Sequence, residues 1–232
     1  MDTNHLSNDI PPADLLPVGR RASLGFLLVR LLVTPILHAL FRIRIEGRDN
    51  IPGDGPYVIA ANHLGWLDSF LVLLAFPTEP RVHFLGAVRG LVARRVQWRL
   101  VQMIGGYLPV DTERRGDRRL FEHVERCLRL GGAIAVYPEA CYGRPGELQP
   151  FRKGFAHFAA KASVPVVPVA LWGTESLWLR RELRVIIGEP IVGNDVDELV
   201  AATRARLTPM LPRDADHRPR LRLMQGALTN LF

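Results

Sequence analysis

Four short apolar runs, YVIAA (57–61), VHFLGAV (82–88), AIAVY (133–137) and VPVVPVAL (164–171), constrain the fold more than anything else in this chain. Each has the length of a strand, and turn residues or helical stretches separate them. Between them lie SFLVLLAF, a helix that ends near Pro77, and stretches of helical period over 90–104, 117–130 and 153–162. Apolar runs that alternate with helical periods are the pattern of an α/β protein, here a mixed central sheet flanked by helices. FRIRIEG (41–47) adds a half-exposed strand, with Phe41, Ile43 and Ile45 on one face and Arg42 and Arg44 on the other. YLPV and RVIIGEPI read as extended, and DVDELVAATRARLTPML closes the pattern as an amphipathic helix opened by an acidic cap.

The 232 residues suffice for one substantial core and demand no second domain. The domain is expected over 42–211, with a flexible 1–19 ahead of it and a basic tail over 212–232. Between them, SLGFLLVRLLVTPILHALF (23–41) approaches the length of a membrane span, but Arg30, Pro35 and His38 interrupt it. An N-terminal apolar helical pair over 20–41 is expected instead, lying in the headgroup region with Arg20, Arg21, Arg42 and Arg44 at its flanks. A helix packed on the protein's own core is the alternative. Apolar residues make up 48% of the chain, mean hydropathy is +0.08 and the formal charge is +7, a pairing that suits an anionic membrane surface. Nucleic acid would also suit the charge, but the arginines are spread along the chain rather than clustered with aromatic platforms, which argues against it. The two cysteines, Cys127 and Cys141, are too few for a disulfide framework, and no apolar signal segment lies close to the N-terminus. A cytoplasmic protein, peripheral on the inner face of the membrane, is the expectation.

NHLGWLDS (62–69) begins where a buried strand ends and a helix starts, the edge at which open α/β sheets bind ligands. His63 and Asp68 are five apart, so a regular helix would set them about 140° from each other and a strand would put them on opposite faces. Only an irregular turn brings them together, and Gly65 permits one. Asp68 would then sit near a helix N-terminus, where its charge is favoured. A carboxylate on one ring nitrogen fixes the imidazole tautomer and leaves the other nitrogen free as a base. Taken alone, the pair also reads as a capping arrangement.

Three further stretches follow in order: GGYLPVD (105–111), YPEACYGRPGELQPFRKGF (137–155) and VPVVPVAL (164–171). Together with His63-x4-Asp68 they resemble the phospholipid/glycerol acyltransferase family, which includes 1-acylglycerol-3-phosphate acyltransferases, over about Phe41 to Pro190. The resemblance implies a glycerolipid acyltransferase-like fold and transfer of a fatty acyl group from a thioester to a hydroxyl of a lyso-phospholipid or related lipid acceptor. Acyl-CoA or acyl carrier protein would be the co-substrate, with no further cofactor and no metal.

By the same resemblance, His63 is the general base, Asp68 orients it, and backbone amides near a glycine-containing turn stabilise the oxyanion. Asn62, Asp111, Glu139, Gly154 and Pro168 match family positions around the substrates, with Glu139 directing the acceptor hydroxyls, or serving as a structural carboxylate bonded to loop amides, and Pro168 shaping the acyl pocket. Arg89, Arg144, Arg152 and Lys153 lie near the motifs and are candidates for an acceptor phosphate or carboxylate. Thr112 stands where the family has an arginine, and Ala140, Cys141 and Tyr142 replace a glycine, a hydroxyl residue and a second arginine. Those departures put a simple glycerol phosphate acceptor in doubt. They leave open a catalytically impaired membrane-surface lipid-binding protein on the same fold.

Overall fold

The computed structural model describes residues 18–53, 55–87, 106–110, 118–212 and 228. The expected helix over 90–104, and Arg89, Asp111 and Thr112 with it, lie outside those residues, as do most of the two chain ends. The described elements are α1 (Leu24–Leu40), β1 (Arg42–Glu46), β2 (Val58–Ala61), α2 (Asp68–Ala75), β3 (Val82–Ala87) and β4 (Tyr107–Val110). They continue with α3 (Arg118–Arg129), β5 (Ala133–Val136), α4 (Gly154–Ala162), β6 (Val166–Trp172), β7 (Glu182–Ile187) and α5 (Val196–Leu207).

The strands form one sheet in the order β1-β7-β6-β2-β5-β3-β4. Every neighbouring pair is parallel except β6 and β7, so the sheet is mixed, as the sequence indicated. β2 lies at its centre, with Ile59 level with Ala135 of β5 and Val167 of β6. Both faces are covered, which explains why the central strands read as continuous apolar runs rather than alternating ones. On one face Tyr57, Ile59 and Ala61 pack with Leu71 and Phe76 at α2 and Leu37 of α1. On the other, Val58 and Ala60 meet Val124 and Leu128 of α3 and Phe155 and Ala159 of α4. Each fully buried side chain of this size contributes about 1.5–3 kcal/mol relative to exposure.

The N-terminal apolar segment is one helix of 17 residues rather than a helical pair. Ser23 caps it, its side chain accepting the Phe26 amide at 3.2 Å. Pro35 lies inside the helix without dividing it. The carbonyl that a proline leaves without its amide partner is that of residue 31, and Leu31 and Pro35 are both exposed, so water can satisfy it. Arg30 is also unlike a snorkelling residue: its Nη1 donates to the carbonyls of Leu73 at 2.8 Å and Phe76 at 2.9 Å, at the C-terminal end of α2. A cation there meets the negative end of the helix dipole as well as two carbonyl groups. One of the two placements considered for this segment, packing on the protein's own core, is realised along one side of the helix. Phe26, Val29 and Leu37 are buried against the domain, whereas Leu24, Leu27, Leu28, Leu31, Leu32 and Ile36 face outward. Among the described residues no helix is long and apolar enough to cross a membrane.

Candidate active site

The loops that leave β2, β5 and β6, three adjacent central strands, meet at their carboxyl ends. The β2 loop carries His63. After Ala61 the chain abandons the ladder, and Asn62 closes it with a side chain in place of a backbone group. Its Nδ2 donates to the Leu171 carbonyl at 3.0 Å and its Oδ1 accepts the Leu171 amide at 2.7 Å. With both ends of the amide engaged and 2% of the residue exposed, Asn62 pins the loop to β6. The side-chain amide is thus engaged with backbone at a position the motif assigned to the substrate's surroundings.

Residues 64–67 form the irregular turn that the spacing of His63 and Asp68 requires. Gly65 is needed there, since a Cβ would stand 2.9 Å from the Thr174 carbonyl oxygen. Asp68 opens α2 and is fully buried. Its Oδ2 accepts the His63 Nδ1–H at 2.8 Å, the Leu64 amide at 2.6 Å and the Gly65 amide at 2.9 Å. Its Oδ1 accepts the hydroxyl of Thr174, itself buried. A carboxylate with this set of donors is a charged acceptor, and it fixes the imidazole with the proton on Nδ1 and the lone pair on Nε2. The His63 side chain is 18% exposed, and no described residue hydrogen-bonds its Nε2.

Tyr137, the residue after β5, stacks on the imidazole with ring centroids 3.8 Å apart and planes 8° from parallel. Its hydroxyl pairs with Ser69 Oγ at 3.0 Å, and burial, reinforced by the Asp68 charge, holds the phenol proton firmly. Tyr142 approaches the same imidazole at 4.5 Å, tilted by 58°, and is itself exposed. Nothing in the local pattern around Tyr137, Tyr142 or Thr174 marked them as neighbours of the histidine. The only available sign was the position of the two tyrosines inside the third family stretch.

Glu139 is buried and points at the backbone instead of toward solvent. Oε1 accepts the His63 amide at 3.2 Å and Oε2 accepts the Gln149 amide at 2.7 Å, so the carboxylate ties the β2 loop to the β5 loop. The Gly143 amide donates to the His63 carbonyl at 2.7 Å and closes the same junction. Two amides that could have faced an oxyanion, those of Gly65 and Gly143, are thus committed to holding the turn. Of the two readings of Glu139, these bonds are those of the structural carboxylate, a staple under the histidine. Ala140, in the glycine's usual place, adopts φ 53°, the left-handed conformation a glycine would take more cheaply.

The remaining candidates spread outward. Pro168 lies in β6 level with Ala60, its ring close to Gly188. Gly154 begins α4, and Lys153 just ahead of it pairs with Asp197 of α5 at 2.5 Å. Both side chains of that pair are exposed, so it holds Lys153 only weakly. Arg144 and Arg152 are exposed. Cys141 is an exposed free thiol, whereas Cys127 is buried, its thiol pushed up to about 12 by burial.

The family model described as Acyltransferase matches residues 42–172. Among curated proteins, the chain is 30% identical over 183 residues to the chloroplastic 1-acyl-sn-glycerol-3-phosphate acyltransferase BAT2 of Brassica napus, covering 74% of this chain and 51% of that protein. It is 26% identical to the 1-acyl-sn-glycerol-3-phosphate acyltransferase of Bacillus subtilis, over 70% of this chain and 80% of that one. The chain spans about half the length of the plant relatives it matches. The crystal structure of the 1-acyl-sn-glycerophosphate acyltransferase PlsC from Thermotoga maritima shares the fold, with a TM-score of 0.63 at 20% identity, over 80% of this chain and 78% of that one.

Proposed function

Because the chain belongs to the acyltransferase family, we propose that it transfers a fatty acyl group from a CoA or acyl-carrier-protein thioester to a hydroxyl of a lyso-phospholipid or related lipid. The observation that carries this reading is the dyad: His63 Nδ1 is held on Asp68 at 2.8 Å, and no described residue hydrogen-bonds Nε2. The relatives named as 1-acyl-sn-glycerol-3-phosphate acyltransferases support the substrate class.

In this mechanism Nε2 takes the proton of the acceptor hydroxyl as its oxygen attacks the thioester carbonyl. The tetrahedral adduct collapses, the carbon–sulfur bond breaks, and the thiolate leaves with the proton returned from the imidazolium. Asp68 stabilises that imidazolium and keeps it in one tautomer. Arg144 and Arg152 receive the acceptor's anionic group, with Arg89 and Asp111 completing the substrate-binding set. The outward face of α1 rests on an anionic membrane at the cytoplasmic side, its leucines entering the interface while Arg20, Arg21, Arg42 and Arg44 meet lipid phosphates.

Thiol release from a panel of acyl-CoA and acyl-carrier-protein donors, with lyso-lipid acceptors, tests the reaction. His63→Ala should lower the rate by roughly 10² or more, and Asp68→Asn should lower it by favouring the wrong tautomer. Near-normal thiol release by folded His63→Ala protein would exclude the histidine as the base. An intact dyad beside the altered third stretch favours the enzyme over the impaired lipid-binding protein.

A further inference from the structure

We propose that Thr174 is a positioning residue for the transfer, holding the Asp68 carboxylate in the orientation that keeps Nε2 of His63 aimed at the substrate. This inference rests on the acyl-transfer reading above.

Three donors crowd one oxygen of Asp68: the His63 imidazole, the Leu64 amide and the Gly65 amide all end on Oδ2. A carboxylate loaded on one oxygen can still pivot about its Cβ–Cγ bond, and a pivot would swing the imidazole with it. The Thr174 hydroxyl is the donor on Oδ1 and supplies the second point of attachment. Asp68 is fully buried and Thr174 is 5% exposed, so water has little access to replace that hydroxyl. An oxygen stripped of its donor in such a place stays without one, at the full desolvation penalty.

Thr174 is in turn mounted on a rigid loop. Gly173 before it has φ +94°, and a Cβ there would stand 2.4 Å from the Glu182 carbonyl oxygen, so the turn out of β6 requires glycine. The buried Arg181 donates from Nε to the Gly173 carbonyl at 3.3 Å, pairs with Glu175 at 2.7 Å, and lies 4.0 Å over the Trp178 ring. The Thr174 carbonyl presses against Gly65, so the two loops are in direct contact as well as bonded through Asp68. His63, Asp68 and Thr174 thus form a line of hydrogen bonds anchored at its far end.

Thr174→Val keeps the shape of the side chain and removes the donor, and Thr174→Ser keeps the donor. With the full chain, the valine variant should lose roughly 10–30-fold in kcat while KM for donor and acceptor stays within about twofold, since an arrangement needed for the transition state is lost rather than binding. Serine should recover activity to within about threefold. The His63 Nδ1–H proton resonance, assigned by its loss in His63→Ala, should persist in the wild type and the serine variant and shift or broaden in the valine variant. Wild-type kcat and an unchanged Nδ1–H signal in Thr174→Val would overturn the proposal. So would an activity loss that merely tracked the folded fraction and was not rescued by serine. If the wild type released no thiol with any pair, the acyl-transfer reading would fail, and the proton signal would still decide whether Thr174 fixes the dyad.

Discussion

The imidazole of His63 lies flat on the ring of Tyr137, 3.8 Å between centroids and 8° from parallel. A ring fixed at one edge by Asp68 could still rock about that bond, and the stack prevents it. Tyr137→Phe keeps the stack and should retain most of the activity, losing only the hydroxyl contact to Ser69. Tyr137→Leu removes the stack and should lower kcat about tenfold, with smaller changes in KM. Equal activity in the two variants would show that the ring needs no support beyond Asp68.

Glu139 provides a test of a different kind. Both of its oxygens are taken by backbone amides of separate loops, at His63 and Gln149. Glu139→Gln replaces one acceptor with an NH2 group facing an N–H, and should destabilise the fold by about 1–3 kcal/mol in urea unfolding. Acceptor KM should change little in the protein that remains folded. A large rise in acceptor KM without loss of stability would return Glu139 to the substrate.

His83 predicts an acid weakness. It is fully buried in β3, its Nε2–H donating to the Gly19 carbonyl at 3.0 Å. Burial pushes its pKa down to about 4 against the pull of that hydrogen bond, with Arg81 and His123 pushing the same way as burial. The unfolded chain takes up this proton near pH 6.5 and the folded protein only near 4, so the unfolded state binds more protons between those values. The stability contribution is present above pH 6.5 and is lost as pH falls toward 4, by roughly 3 kcal/mol in total. Urea unfolding between pH 7 and 4 should show that slope, and His83→Gln should flatten it. An identical slope in the variant would assign the acid weakness to other groups.

The outward face of α1 is open to direct test. Leu28 and Leu31 are 49% and 70% exposed, so replacing both with glutamate should cost the fold little. Sedimentation with anionic vesicles should fall by about tenfold or more, because apolar insertion is lost and two like charges are added. Leu37 on the opposite face is 1% exposed, and Leu37→Ala should instead cost about 2–5 kcal/mol of stability. Unchanged vesicle binding by the double glutamate variant would move the membrane contact to another surface.

How far the site could be read from the sequence follows chain separation. His63 and Asp68 are five residues apart, and the turn, the glycine and the helix start that join them are all local, so their pairing was legible. The partner of Asn62 is Leu171, 109 residues away, and that of Asp68 Oδ1 is Thr174, 106 residues away. No local period reports contacts of that kind, which is why the bonds of Asn62 to Leu171 and of Thr174 to Asp68 went unnoticed. The strands and helices of the central sheet were recovered because apolar periodicity reflects the faces they bury. For α1, periodicity registered apolar residues all around the helix but could not say which of them would meet protein. The carbonyl partners of Arg30 are likewise 43 and 46 residues along the chain, beyond the reach of any local pattern.

The grip of Arg30 on the end of α2 makes that helix a strut. Asp68 is its first residue and the carbonyls held by Arg30 lie toward its far end, the farther one, Phe76, about 12 Å of rigid rod away. Any surface on which α1 rests is therefore held at a set height from the imidazole. On the proposed reading a lipid acceptor would not have to leave its leaflet to reach His63: the depth at which the leucines of α1 settle would set which of its atoms come level with the imidazole.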